Sequence, residues 1–420
     1  MSKQRNTPSM ITSLKKEIRA SNGFSGWLKK CMGDLAAQPV SNRSTSNVGY
    51  LSSIDFLRGV ASLAVVMHHA SEGASHKTTN GLIAGINEAF GFGALGVPLF
   101  FVLSGFCIHR KQAERSAAGL DNSVPFRKYW KRRFFRLYPS YFTTCVCSAI
   151  LMAIAIGAGI QSAIANSYGS NQYLYLAFDF LTHILLIHSF FPIFDKGLGN
   201  GPLWTLAREE QYYLLYFPLM KIARHVNIWT CLLIAMIASY LALFLSNSIS
   251  DTYPGLAYVS STSCFAFWPQ WVLGMISMYL LVSRRQSIAW LGNRFTPIAG
   301  IAIVIWQKLM PGSDWFQNLM YGAGFFLVIS SFSLIELKGR WSRANFVRGL
   351  ETIGRYSYSL YLVHYPILIV LSKFGRQFGS SENLPAYMAF MTLSILICHV
   401  FALVLYLLVE RHGQTKPVES

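Results

Sequence analysis

Apolar runs of about twenty residues recur between residues 53 and 410, separated by short polar stretches. A chain patterned this way has to satisfy its backbone within hydrocarbon, so it must fold as membrane-spanning helices. Ten spans are predicted, at roughly 53–71, 92–109, 138–159, 205–222, 227–247, 262–282, 295–309, 318–336, 355–374 and 384–410. One further apolar segment, Tyr173 to Phe191, is expected to be re-entrant or interfacial. If it crossed fully, every later basic loop would move to the outer side, against the positive-inside rule. The expected class is therefore all-α: a polytopic membrane protein with about ten transmembrane helices and both termini cytoplasmic.

Charge supports this layout. The net charge of +18 invites a nucleic-acid reading, but its distribution argues against one. With the N-terminus inside, 29 of the 36 Lys and Arg residues fall in predicted cytoplasmic segments. Five fall outside: Lys77, Lys196, Lys308, Lys373 and Arg376. Residues 1–50 are expected to be a polar cytoplasmic tail, either an interfacial amphipathic helix or disordered. No cleavable signal peptide is expected in it. Residues 51–410 form the membrane domain and 411–420 a second cytoplasmic tail. The seven cysteines show neither metal-site spacing nor a disulfide framework, and no metal is expected.

Four stretches could carry chemistry. In the first span, Arg58 and His69 lie eleven residues apart, almost three helical turns, so they share a face with roughly 16 Å between them. Ionisable groups at such depths are functional candidates, although a snorkelling arginine and an interfacial histidine explain them too. In the second span, Gly96, Ser104 and Gly105 are small residues suited to close helix packing. Before the third, Arg127, Lys128, Lys131, Arg132, Arg133 and Arg136 form a basic run. Within it, Arg133 and Arg136 would present neighbouring guanidinium forks to a phosphate, or the whole run could lie on anionic lipid. The fourth stretch, Trp204 to Leu214, brings Thr205, Arg208, Glu209 and Glu210 into a span, with Arg208 or Arg58 as candidate partners for the carboxylates. His364 sits mid-span among Tyr and Ser residues, and Asp179 and His188 are further candidates for the same cavity.

Taken in order, these blocks resemble the acyltransferase-3 family of integral membrane acyltransferases, from about Ile54 to Glu410. The likeness rests on Arg58 and His69 in the first span, Phe100-Phe101-x-x-Ser104-Gly105 in the second and the Arg133-x-x-Arg136 pair. It continues with Trp204-Thr205-Leu206-x-x-Glu209-Glu210-Gln211-Tyr212-Tyr213 and the late Tyr358 to Pro366 block. Thr205 replaces a serine and Tyr212 a phenylalanine. The resemblance implies transfer of an acyl group, usually acetyl from acetyl-CoA, to a sugar hydroxyl of a surface polysaccharide or its lipid-linked precursor. It places the protein in a cell membrane, most simply a bacterial inner membrane. Some relatives carry a fused outer esterase-like domain, for which no room is expected after Glu410.

On this reading His69 is the general base or acyl acceptor, Glu209 orients it and Arg58 steers the donor. Arg133 and Arg136 bind the CoA phosphates, Ser104 donates to the thioester oxygen, and Trp204, Thr205 and His364 contact substrate. The rival is a secondary transporter or channel with an intramembrane His/Glu/Arg pathway. A transporter of inverted-repeat type finds no internal repeat in the sequence. A structural scaffold in a polysaccharide-assembly complex is a third class.

Overall fold

The computed structural model describes residues 10–21, 23–36, 48–74, 78–121, 123–159, 169, 171–310, 312–377 and 382–415. These are helical almost throughout, with no strand among them. Lys77 and the ends of both tails lie outside the described residues. The helices are α1 (Met10–Ala20), α2 (Phe24–Ala36), α3 (Ser52–Ala74), α4 (Gly81–Gly91), α5 (Gly96–Ala117), α6 (Phe126–Gly157), α7 (Gln172–Ile184), α8 (Trp204–His225) and α9 (Ile228–Ile249). There follow α10 (Pro254–Ser261), α11 (Cys264–Ser283), α12 (Thr296–Leu309), α13 (Asp314–Leu337), α14 (Asn345–Arg355), α15 (Ser357–Gln377), α16 (Leu384–Leu405) and, after a π turn at Tyr406–Glu410, α17 (Arg411–Thr415).

Each predicted span corresponds to a helix. Six helical stretches, those containing α5, α6, α9, α11, α13 and α16, are long and apolar enough to cross a membrane. The helices α3, α8 and α15 have the length, at 23, 22 and 21 residues, but carry the polar side chains of the candidate site. The basic run before the third span is no loop. It continues into that span as the single 32-residue helix α6.

The extra apolar segment is α7, only 13 residues long. At 1.5 Å per residue it reaches about 20 Å, short of the roughly 30 Å of a bilayer core. It is fastened to α6 instead: Tyr141 and Tyr138 donate to the carbonyls of His183 and Ile184 at 2.8 and 2.9 Å.

Helix α3 occupies the centre, packed against α5, α14 and α15. Its first turn is capped from far away in sequence. The Ser52 and Ser53 amides donate to the two carboxylate oxygens of Glu336 at 2.9 and 2.8 Å, which places a negative charge at the positive end of the helix. The crossings that fix α3 and α5 are made by glycine. A Cβ at Gly105 would overlap the Trp271 carbonyl oxygen, and one at Gly274 would overlap that of Val102. On the other side, Gly59 and Gly354 do the same for α3 and α14, against Leu350 and Asp55. The close approach expected at Gly105 is therefore built, and built reciprocally.

The tail helices α1 and α2 are folded onto the bundle. Trp27 is buried, and its indole donates to Glu17 at 3.2 Å, while Glu17 pairs with Arg411 at 3.6 Å. Phe24, Leu28 and Met32 remain exposed on the same short helix.

Candidate active site: two cavities along one helix

The central helix has a cavity at each end, with different chemistry. Near its start, a cavity of about 150 Å³ is lined by Arg58, Arg133, Arg136 and Arg355, opposed by Glu209 and Glu410. Ser104, Thr205 and Tyr361 also line it. Four guanidinium groups against two carboxylates leave the wall positive, as an anionic ligand requires. A second recess, sharing Arg58, Cys107 and Arg136, extends from it past Asp55 and Tyr50.

The arginines differ in how firmly they are held. Arg58 donates to Asp55 at 3.4 Å and to the Cys107 sulfur at 3.2 Å. Arg355 lies 3.8 Å from Asp55 and also donates to the Leu35 carbonyl in the tail. Tyr50 donates to the same Asp55, and burial together with that carboxylate pushes its phenol well up. Arg133 lies over the rings of Tyr129 and Tyr213, at 5.7 and 5.4 Å. Arg136 makes no hydrogen bond or ion pair among the described residues and lines both recesses. It is the guanidinium most available to a ligand.

At the other end of α3, a cavity of about 470 Å³ is lined by His68, His69, Glu72, Asn87, Tyr365 and Ser372 among others. His69 Nδ1 lies 3.0 Å from the Glu72 carboxylate, which leaves Nε2 as the nitrogen without a carboxylate partner. The imidazole stacks on His364 with 5.5 Å between ring centroids and meets Tyr365 edge-on at 4.9 Å.

Between the cavities stands a layer of rings. Phe100 packs on Tyr361 and Tyr361 on His364, at 5.7 and 5.5 Å. The Tyr361 hydroxyl shares a hydrogen bond with Thr205 at 2.9 Å. His364 is fully buried, with Nδ1 bonded to the Tyr361 carbonyl at 2.7 Å and Nε2 without a partner. It touches neither cavity directly, yet links the residue that lines one to the residue that lines the other.

Several sequence expectations are corrected by this geometry. Glu209 does not orient His69: it lines the arginine cavity, where Tyr213 donates to it at 3.0 Å. The carboxylate at His69 is Glu72, three residues along the same helix, a spacing that was readable in the sequence. Arg208 pairs with neither glutamate. It is fully buried against Asp195 at 2.6 Å, and Tyr258 donates to the same carboxylate at 2.8 Å. Trp204 lies over Arg208 at 5.2 Å and lines neither cavity. Asp179 and His188 are also elsewhere: Asp179 is paired with His183 at 2.8 Å, and His188 stacks on that same ring. Ser104 and Thr205 line the arginine cavity. Ser104 accepts from the Trp271 indole at 3.3 Å. Arg355, Glu410 and Cys107 complete the cavity and were not singled out in the sequence.

Comparison with known proteins agrees with the motif pattern. The family model described as an acyltransferase domain, of the acyltransferase-3 type, matches residues 51–403. YrhL of Bacillus subtilis, whose name assigns it provisionally as a peptidoglycan O-acetyltransferase, is 25% identical over 388 residues, 90% of this chain and 57% of that protein. The O-acetyltransferase OatA of Staphylococcus aureus is 25% identical over 86% of this chain and 57% of its own length. The peptidoglycan O-acetyltransferase OatA of Listeria monocytogenes is 26% identical over 76% of this chain and 49% of its own. The chain thus spans less than two thirds of the length of these relatives. No solved structure matches it.

Proposed function

The chain belongs to the acyltransferase-3 family, and from that premise we propose that it is a membrane O-acetyltransferase, moving acetyl from cytoplasmic acetyl-CoA to a hydroxyl of a cell-surface or lipid-linked glycan. The names of its relatives make a peptidoglycan sugar the first acceptor to test. The observation that carries the reading is the polarity of α3. A guanidinium-lined cavity suited to polyphosphate lies at one end and an imidazole–carboxylate pair at the other, roughly 16 Å apart. In this reading ten helices cross a bacterial inner membrane, both termini are cytoplasmic, and the Arg58 end faces the cytoplasm.

The phosphates of the donor dock on Arg136 and Arg133, whose paired forks match phosphate oxygens. Arg58 steers the arm inward, and Glu209 and Glu410 keep the arginine cluster from repelling itself. The thioester passes Ser104, Thr205 and Tyr361 toward His69, with the Ser104 hydroxyl placed to donate to its carbonyl oxygen. Glu72 holds the proton on His69 Nδ1, so Nε2 is the basic nitrogen. The acceptor hydroxyl oxygen attacks the thioester carbon while Nε2 takes its proton. The C–S bond then breaks, and the departing thiolate collects that proton from the imidazolium. His364, stacked on His69, holds the ring in place.

The test is acetyl transfer to glycan by membranes carrying His69→Ala, with protein level measured by blotting. Loss of a general base lowers the rate by about 10²- to 10⁴-fold. Undiminished transfer at equal protein level removes His69 from the chemistry.

A further inference from the structure

His68, His69 and Glu72 form a compact donor set on the last turns of α3. One nitrogen from each ring and a carboxylate oxygen all lie within 4.8 Å of one another. His69 Nδ1 is 3.0 Å from one Glu72 oxygen and His68 Nε2 is 3.6 Å from the other. A tetrahedral zinc ion with bonds of about 2.0–2.1 Å keeps neighbouring ligand atoms about 3.3 Å apart. Both carboxylate spacings are near that value and the two ring nitrogens lie within 4.8 Å of each other, so side-chain movement of at most about 1.5 Å closes the set. Glu72 is 59% exposed, and the two imidazoles are 19% and 21% exposed and in ring contact with their neighbours.

The surroundings suit an ion as well. All three ligands come from one helix, so no other element has to shift. The cavity of about 470 Å³ leaves room for a water as fourth ligand and for entry of a hydrated ion. Two imidazoles and a carboxylate select zinc-like transition metals over magnesium or calcium, which prefer all-oxygen shells.

We propose that this end of α3 is a binding site for a zinc-class transition-metal ion, coordinated by His68 Nε2, His69 Nδ1 and the Glu72 carboxylate. Binding follows from the geometry alone. Its consequence rests on the reading of His69 as the base: the ion replaces the proton on Nδ1 and draws Glu72 away from it, so bound metal and acyl transfer exclude one another. The ion then acts as a reversible brake reached from the acceptor side.

The experiment uses the purified full chain in detergent at neutral pH. Co²⁺ serves as a spectroscopic probe, Zn²⁺ as its competitor, and acetyl transfer is followed in parallel. The expected result is one Co²⁺ per chain with the intense visible bands of a four-coordinate ion, displaced by Zn²⁺. In His68→Ala the bands are lost and Zn²⁺ affinity falls at least about tenfold. Absence of stoichiometric binding by the wild type, or unchanged binding by His68→Ala, overturns the site. Stoichiometric Zn²⁺ that leaves wild-type transfer undiminished overturns the brake. The reading of His69 as base stands or falls separately, on transfer by metal-free His69→Ala.

Discussion

Replacing Arg136 by alanine tests the arginine cavity most cleanly, because that guanidinium is the least engaged of the four. Among the described residues it has no hydrogen bond or ion pair, and it faces both recesses. Arg58, by contrast, is engaged by Asp55 and Cys107, and Arg133 by two tyrosine rings. Removing either of those perturbs the fold along with the ligand. For Arg136→Ala the loss is therefore the ligand contact alone. A hydrogen bond to a charged group contributes about 1.5–3 kcal/mol, which is a rise of about 10- to 150-fold in the acetyl-CoA dissociation constant. Arg136→Lys keeps the charge but loses the fork, and falls between the two. The assay is calorimetric titration of acetyl-CoA into purified protein in neutral-lipid nanodiscs, with thermal unfolding of each variant measured alongside. Wild-type unfolding with weakened binding is the expected pair of results. An unchanged dissociation constant would refute the reasoning and reassign Arg136 to anionic lipid. Weakened binding accompanied by a lowered unfolding temperature would show that Arg136 has a structural partner.

The two glutamates separate by kinetic parameter. Glu72→Gln removes a charge-assisted bond to His69 and lowers the turnover number by about 10- to 150-fold, whereas Glu209→Gln acts mainly on the KM for acetyl-CoA. Steady-state kinetics with acetyl-CoA varied at saturating acceptor distinguishes them, and the opposite pattern returns Glu209 to the side of His69. The glycine crossings predict a stability difference. Gly105→Ala drives a Cβ into the Trp271 carbonyl and costs about 1–3 kcal/mol, while Gly349→Ala, with open space at its Cβ, is neutral or slightly stabilising. Thermal unfolding of both variants in detergent checks this, and equal unfolding temperatures count against the α5–α11 contact.

The sequence by itself determined the class of fold and most of the site's inventory. Span length, apolar run and charge asymmetry are local quantities, so each predicted span appears as a helix, and α7 proves too short to cross. The joint exposure of Arg133 and Arg136 on a single cavity wall was likewise legible, because a three-residue step on a helix fixes it. Even Glu72 was within reach, three residues from His69 on the same helix. What only the tertiary structure decided is which of these groups meet. Arg355 and Glu410 arrive from the far end of the chain to close a cavity begun at Arg58. Glu209 belongs with the arginines, and Arg208 turns away to Asp195. These pairings depend on where helices cross, and the crossings are set by reciprocal contacts such as Gly105 with Trp271 and Gly59 with Leu350. No local periodicity encodes a contact made by two backbones far apart in sequence, so which partners gather at the Arg58 end of α3 and which at the His69 end became visible only once the helices were packed.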